Sequence, residues 1–187
     1  MAIDQNTLAS LAEEYGGQWG LKHSERLIHL VNMLGEGLEY DSGIIEAAAY
    51  LHDWGGYAKW MVSGVDHALR SVEVVRDYLN EQGVDTERAN RILECIEFHH
   101  GGDPNRSIES KLFTDADALD MLGVVGTLRI FAMNPRDIQA GYAALKRWRD
   151  TSIKALSTEK GKQMAEKRIE ETNYLLKTFE EETFGLI

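Results

Sequence analysis

A single cysteine, Cys95, stands in 187 residues. No disulfide framework and no thiolate cluster can form within one chain, which fits a reducing cytoplasm. Proline is nearly as scarce, with Pro104 and Pro135 the two instances. Period-two alternation and β-branched runs are also thin, so the pattern that builds sheets is missing. No apolar run approaches the ~20 residues that cross a bilayer. The opening stretch MAIDQNTLASLAEEYGG carries acids and no basic cluster, so no signal peptide is expected in it. Bases are outnumbered, 20 Lys and Arg against 31 Asp and Glu, for a net charge of −11. A surface that coats nucleic acid should be basic, so nucleic acid is not the expected partner. An anionic small substrate stays compatible, because a bound cation reverses the local field.

What is present is helical spacing. A chain of this length buries roughly 70% of its unfolded surface, so one domain needs no covalent staples. Asp4 caps a first helix that reaches about Tyr15, where Gly16 and Gly17 stop it. A second covers about Leu21 to Leu34, with Leu27, Leu30, Val31 and Leu34 at i, i+3, i+4 and i+7. A third starts after Asp41 or Ser42 and ends at Gly55-Gly56, and a looser segment runs from Tyr57 to Gly64. Further helices are expected over about Val65 to Glu81 and Thr86 to His100, then from Ser107 or Ser110 to about Met133. A short helix around 137–149 and a last one from about Thr158 to Glu182 complete an all-α chain. The last is mostly charged, with a sparse stripe of Met164, Ile169, Leu175, Leu176 and Phe179. That pattern reads as a solvated helix packed on one face, or as a partner or dimer helix, so a homo-oligomer is compatible.

The six histidines fall at informative places. His23 precedes Leu27 by four and Leu30 by seven, so it follows the buried stripe. His29 follows Arg26 by three and falls on the polar face. His52 and Asp53 end the run AAAYLHDWGG, where an apolar core would reject both unless they pair or share a metal. His67 begins a helix. His99 and His100 end one, where a capping role also fits, since the helix dipole there favours imidazolium. TDADALD, residues 114–120, sets three carboxylates among leucines, and it reads either as a surface strip or as a paired or metal-bound cluster.

Taken in order, H23SERL, L51HDWGG, D66HALRS, F98HHGG and D115ADALD resemble the HD-domain superfamily of metal-dependent phosphohydrolases, whose signature is H…HD…D. The resemblance covers about residues 20–135. It implies an all-α HD-domain helical bundle with a metal site between helices. Residues 1–187 would form a single HD domain, with the helices of 137–187 packed on its core. It also implies His23, His52, Asp53 and Asp117 as ligands of a first divalent ion. Asp117 is chosen there by the family pattern, because helical spacing alone suits Asp115 as well. His67 and His99 or His100 match the second-ion positions of two-metal members, with Asp53 bridging. The subgroup that hydrolyses cyclic dinucleotides carries HD-x-G-K and GYP. HDWGGYAKW departs from both.

The implied activity is hydrolysis of a phosphomonoester, phosphodiester or pyrophosphate, on a nucleotide or other small phosphorylated metabolite, by metal-activated water. Mn, Fe, Mg, Co, Ni or Zn would suit the donor set. Asp53 is the catalytic carboxylate in this reading, and His67 or His99 supplies the leaving group's proton. Arg129 and Lys59, ahead of Arg70 and Arg106, are the candidates to hold phosphate. Trp54, Tyr57 and Trp60 wall the site or stack on a base. Two other classes are compatible. HD-fold proteins that resemble a mixed-valent di-iron oxygenase use the same ligand types, and a regulatory module would keep the fold without catalysis.

Overall fold

Aspartates open most of the helices. The computed structural model describes residues 4–186, and among these it holds eight α-helices and no strand. They are α1 (Gln5–Leu34), α2 (Ser42–Leu51), α3 (His67–Glu81), α4 (Thr86–Glu97), α5 (Ile108–Asp120), α6 (Gly123–Met133), α7 (Ile138–Ala155) and α8 (Glu159–Glu182). Side chains of Asp4, Asp41, Asp66, Asp85, Ser107, Asp137 and Thr158 each accept a backbone N–H of the first turn that follows. These are the donors that a helix start leaves unpaired.

Several boundaries differ from the sequence expectation. The first two expected helices run as one, α1, but Gly17 interrupts it at φ 62°, ψ −167°. The expected stop is therefore a kink, taken up by a residue without a Cβ. The expected helix from Ser107 to Met133 is two helices. Gly123 at φ 73° divides them, and its N–H donates to Thr172 Oγ1 of α8 at 2.8 Å. The helices expected to end at Gly55-Gly56 and His100 close earlier, at Leu51 and Glu97. A 3-10 turn, Trp54–Gly56, follows the first of these.

Helix α1 packs on α2 and α5, α2 packs on α4, and α4 packs on α3 and α5. Leu27, Val31, Leu34, Ile44, Leu51, Ile92, Ile96, Leu112, Phe113 and Leu119 fill the main core. A smaller cluster of Met121, Ile130, Ala144, Leu145 and Leu176 joins α6, α7 and α8. Both C-terminal helices lie against α5. No described helix is long and apolar enough to cross a membrane.

Helix α5 is buried along its whole length from Leu112 to Asp120. Its acids must therefore be satisfied inside the protein. Asp115 meets the start of α8. It accepts the N–H of Ser157 at 2.7 Å and of Thr158 at 2.9 Å, and the two hydroxyls at 2.9 and 2.5 Å. Replacing Asp115 by Ala strips the α8 terminus of these charge-assisted bonds. The expected cost is about 2–3 kcal/mol in denaturant unfolding, with the metal content of the folded protein unchanged.

Candidate metal centre

Five helices deliver side chains to one space. His23 comes from α1 just past the Gly17 kink. His52 is the C-cap of α2, and Asp53 follows it. His67 opens α3, His99 and His100 follow α4, and Asp117 lies on α5. The Gly55 N–H donates to Ser71 Oγ at 2.8 Å, which ties the turn after Asp53 to α3.

Distances place Asp53 between two groups. One Asp53 oxygen, Oδ2, is 3.3 Å from His52 Nε2 and 3.9 Å from His23 Nε2. The other, Oδ1, is 3.6 Å from His67 Nε2. Asp117 spans in the same way, with Oδ1 3.3 Å from His23 Nε2 and Oδ2 3.8 Å from His100 Nε2. His67 and His99 oppose their Nε2 atoms at 3.2 Å. Two sets of donors are thus each close enough to share an ion, His23 with His52 and Asp53, and His67 with His99 and His100.

The far side of two rings fixes which nitrogen is free. His52 Nδ1 lies 3.0 Å from Ala49 O, and His99 Nδ1 lies 2.7 Å from Ile96 O. A carbonyl only accepts, so both rings donate from Nδ1 and present a lone pair at Nε2. Both are also caps, since those carbonyls belong to the last turns of α2 and α4. His23 Nδ1 lies 2.8 Å from Asp120 Oδ2. His52 Nε2 is buried without a hydrogen-bond partner. A buried acceptor left open in this way is costly unless a ligand fills it. The donor set of imidazole nitrogens and carboxylate oxygens fits a divalent cation.

Burial opposes charge on all of these groups, and their neighbours decide the outcome. Asp53 is held well below the usual carboxylate range, because His52, His23 and His99 outweigh its burial. Asp117 is lowered in the same way, chiefly through His23. Burial also lowers the His23 pKa, but hydrogen bonds to Asp117 and Asp120 overcome this and raise it to about 9. His99 has no such support. Burial and the neighbouring His100 and His52 push it down to about 3.

A cavity of about 500 Å³ opens onto the centre. Its walls include Tyr15, Trp19, Tyr57, Met121 and Trp148, with Arg129 as the one Arg or Lys among the described lining residues. Lys59 is not brought here. It lies over the rings of Tyr15 and Trp60 and lines a separate cavity of about 340 Å³. Arg70 donates to Trp60 O and Glu73, and Arg106 is buried beside Ser157. Trp54 and Trp60 stack on each other at 4.5 Å, while Tyr57 faces the cavity. His29 is exposed, as its helical position predicts. Asp117 reaches the centre and Asp115 does not. The sequence reading assigned no role to Asp120, although it follows Asp117 by three on the same helix and a spacing count places the two together.

Comparison with known proteins identifies the family. A family model, the HD domain, matches residues 20–122. The YpgQ protein of Bacillus subtilis, described as uncharacterized, is 35% identical over 125 residues, 64% of this chain and 58% of that protein. Ribonuclease Y of Acidothermus cellulolyticus is 33% identical over 103 residues, 55% of this chain and 19% of that enzyme. The matched stretch is thus less than two thirds of the length of either relative. A crystal structure of YpgQ superposes with a TM-score of 0.70 at 25% identity, covering 98% of this chain and 97% of that one. Another, of YpgQ in complex with ADP, gives 0.67 at 27% identity over 95% and 92%. A Bacillus thuringiensis protein described as an HD-superfamily hydrolase shares the fold, with a TM-score of 0.67 at 24% identity over 95% of each chain. The matched segment holds His23, the His52-Asp53 pair and Asp117 in order, and the chain belongs to the HD-domain family.

Proposed function

We propose that this protein is a divalent-metal-dependent phosphohydrolase acting on a nucleotide or other small phosphorylated metabolite. The observation that carries the reading is the convergence of His23, His52, Asp53 and Asp117 around a buried Nε2 that has no partner. These four would hold the first ion. His67, His99 and His100 would hold a second, with Asp53 facing both. A bound divalent cation would supply the chemistry such a reaction needs, lowering the pKa of a water and polarising a phosphoryl oxygen.

The chain's own residues do the rest. Arg129 offers the cavity a guanidinium suited to phosphate oxygens. His67 is about one-third exposed and belongs to the cavity lining, so where it does not hold a second ion its ring can supply a proton to the leaving oxygen. His99 keeps its proton on Nδ1, turned away toward Ile96 O, and its low pKa leaves Nε2 without a proton to give near neutral pH. The cavity has room for more than a phosphate group. Its Trp and Tyr walls suit a planar substituent, and the complex of YpgQ with ADP supports a nucleotide. The chain is read as one HD domain, with α7 and α8 packed on α5 and Trp148 of α7 in the cavity wall.

A second reading, a mixed-valent di-iron oxygenase, is favoured by the completeness of the two donor sets. Close to two irons per chain with oxygen-dependent turnover would select it. A silent regulatory module fits the intact ligand set less well.

His52→Ala and Asp53→Ala are each expected to abolish Mn²⁺ binding and turnover on a panel of phosphoesters, and His29→Ala to change neither. Turnover that survives in Asp53→Ala would sink the assignment. The His23 shift adds a pH dependence. In the metal-free protein His23 carries a proton up to about pH 9, and an ion at Nε2 must displace it. Apparent affinity should therefore weaken about tenfold per unit as pH falls from 8 to 7, by one-proton linkage. Titration calorimetry in buffers of different ionisation enthalpy should record about one proton released per first ion at pH 7. Release of none would contradict the placement of His23.

A further inference from the structure

Asp120 is almost wholly buried and is not among the groups that would hold an ion. Yet its carboxylate gathers three side chains. Oδ2 lies 2.8 Å from His23 Nδ1 and accepts Arg26 Nη2 at 3.0 Å, and it also accepts Arg129 Nη1. Oδ1 accepts Arg26 Nε at 2.6 Å. Arg129 Nη1 is itself 2.8 Å from His23 Nδ1, and the guanidinium lies over the Trp19 ring at 5.3 Å. Arg129 Nε is buried without a partner.

The three buried imidazoles of the centre differ in what lies behind them. His52 and His99 donate to main-chain carbonyls, Ala49 O and Ile96 O. The backbone therefore fixes those rings whatever the neighbouring side chains are. His23 alone of the three is fixed by a side chain. A carboxylate in that position holds the Nδ1–H tautomer, turns Nε2 toward Asp117 and Asp53, and raises the basicity of the ring as a ligand. The same oxygen holds Arg129, which would otherwise be free to swing away from the cavity wall or into it.

We propose that Asp120 is a positioning residue that sets two parts of the centre at once: the His23 ring, with Nε2 open to a metal ion, and the Arg129 guanidinium, held at the cavity wall. This rests on the metal-site reading above. Asp115 supplies the contrast, since it is equally buried on the same helix and all its bonds go to the start of α8. A merely structural acid would behave as Asp115 does.

The test compares full-length wild type with Asp120→Asn and Asp115→Asn. Mn²⁺ affinity is measured by chelator competition. The His23 ring is read by long-range ¹H–¹⁵N NMR of the Zn²⁺-loaded protein. Asp120→Asn should weaken Mn²⁺ binding about 10–100-fold, the range for loss of such an outer partner. Asp115→Asn should lower the melting temperature and leave Mn²⁺ affinity at the wild-type value. The loaded wild type should show a hydrogen-bonded proton on His23 Nδ1. Wild-type affinity in Asp120→Asn, or a proton on His23 Nε2 in the loaded wild type, overturns the proposal. If Asp120→Asn does not fold, the wild-type spectrum alone decides. A wild type that binds neither Mn²⁺ nor Zn²⁺ defeats the metal-site reading itself, and this proposal with it.

Discussion

Imidazole nitrogens and carboxylate oxygens that face one another in a buried space impose the constraint on which this structure turns. Nε2 of His52 is sealed from solvent without a hydrogen-bond partner among the described residues, and the Nε2 atoms of His67 and His99 meet at 3.2 Å. Left alone, such an arrangement costs several kcal/mol of desolvation. The rings of His52, His99 and His23 are each tied from behind. Ala49 O, Ile96 O and the Asp120 carboxylate make those ties. A divalent cation held there would convert the cost into binding energy, and the donor set suits one.

The fold serves this constraint by ending helices at the centre. His52 and the His99-His100 pair stand just past the last turns of α2 and α4, and His67 is the first residue of α3. A helix end allows a ring to bond a last-turn carbonyl and still turn its other nitrogen inward. Helix α5 has a different task. Buried throughout, it sends Asp115 to the α8 terminus, Asp117 into the centre and Asp120 behind His23. Three acids within six residues thus have three separate partners, and one of them, Asp115, joins the start of α8 to α5.

Much of this was readable in the sequence. Helix starts were clear because an Asp, Ser or Thr before an apolar stripe is a local signal. The ordered series of His23, His52-Asp53, His67, His99-His100 and Asp117 led to the right family and fold. Helix ends were less clear. The break at Gly123 depends on Thr172, 49 residues away, and no local pattern encodes it. Helical spacing did not separate Asp115 from Asp117, because α5 has no solvent face to give the wheel a reference. Lys59 looked suited to phosphate by its charge and its place after the HD pair. Its side chain instead lies on Tyr15 and Trp60, a contact made across the chain. Asp120 passed unassigned because its partners Arg26 and Arg129 come from two other helices.

The central claim is that these residues form a metal centre. The most direct test is elemental analysis of wild-type protein purified without added metal or chelator, reported per chain. About one to two equivalents of a divalent transition metal, or of Mg²⁺, are expected from the two donor sets. No metal per chain, even after soaking in Mn²⁺, Fe²⁺ and Zn²⁺, would contradict the account and leave the His52-Asp53 pair as the polar end of a helix.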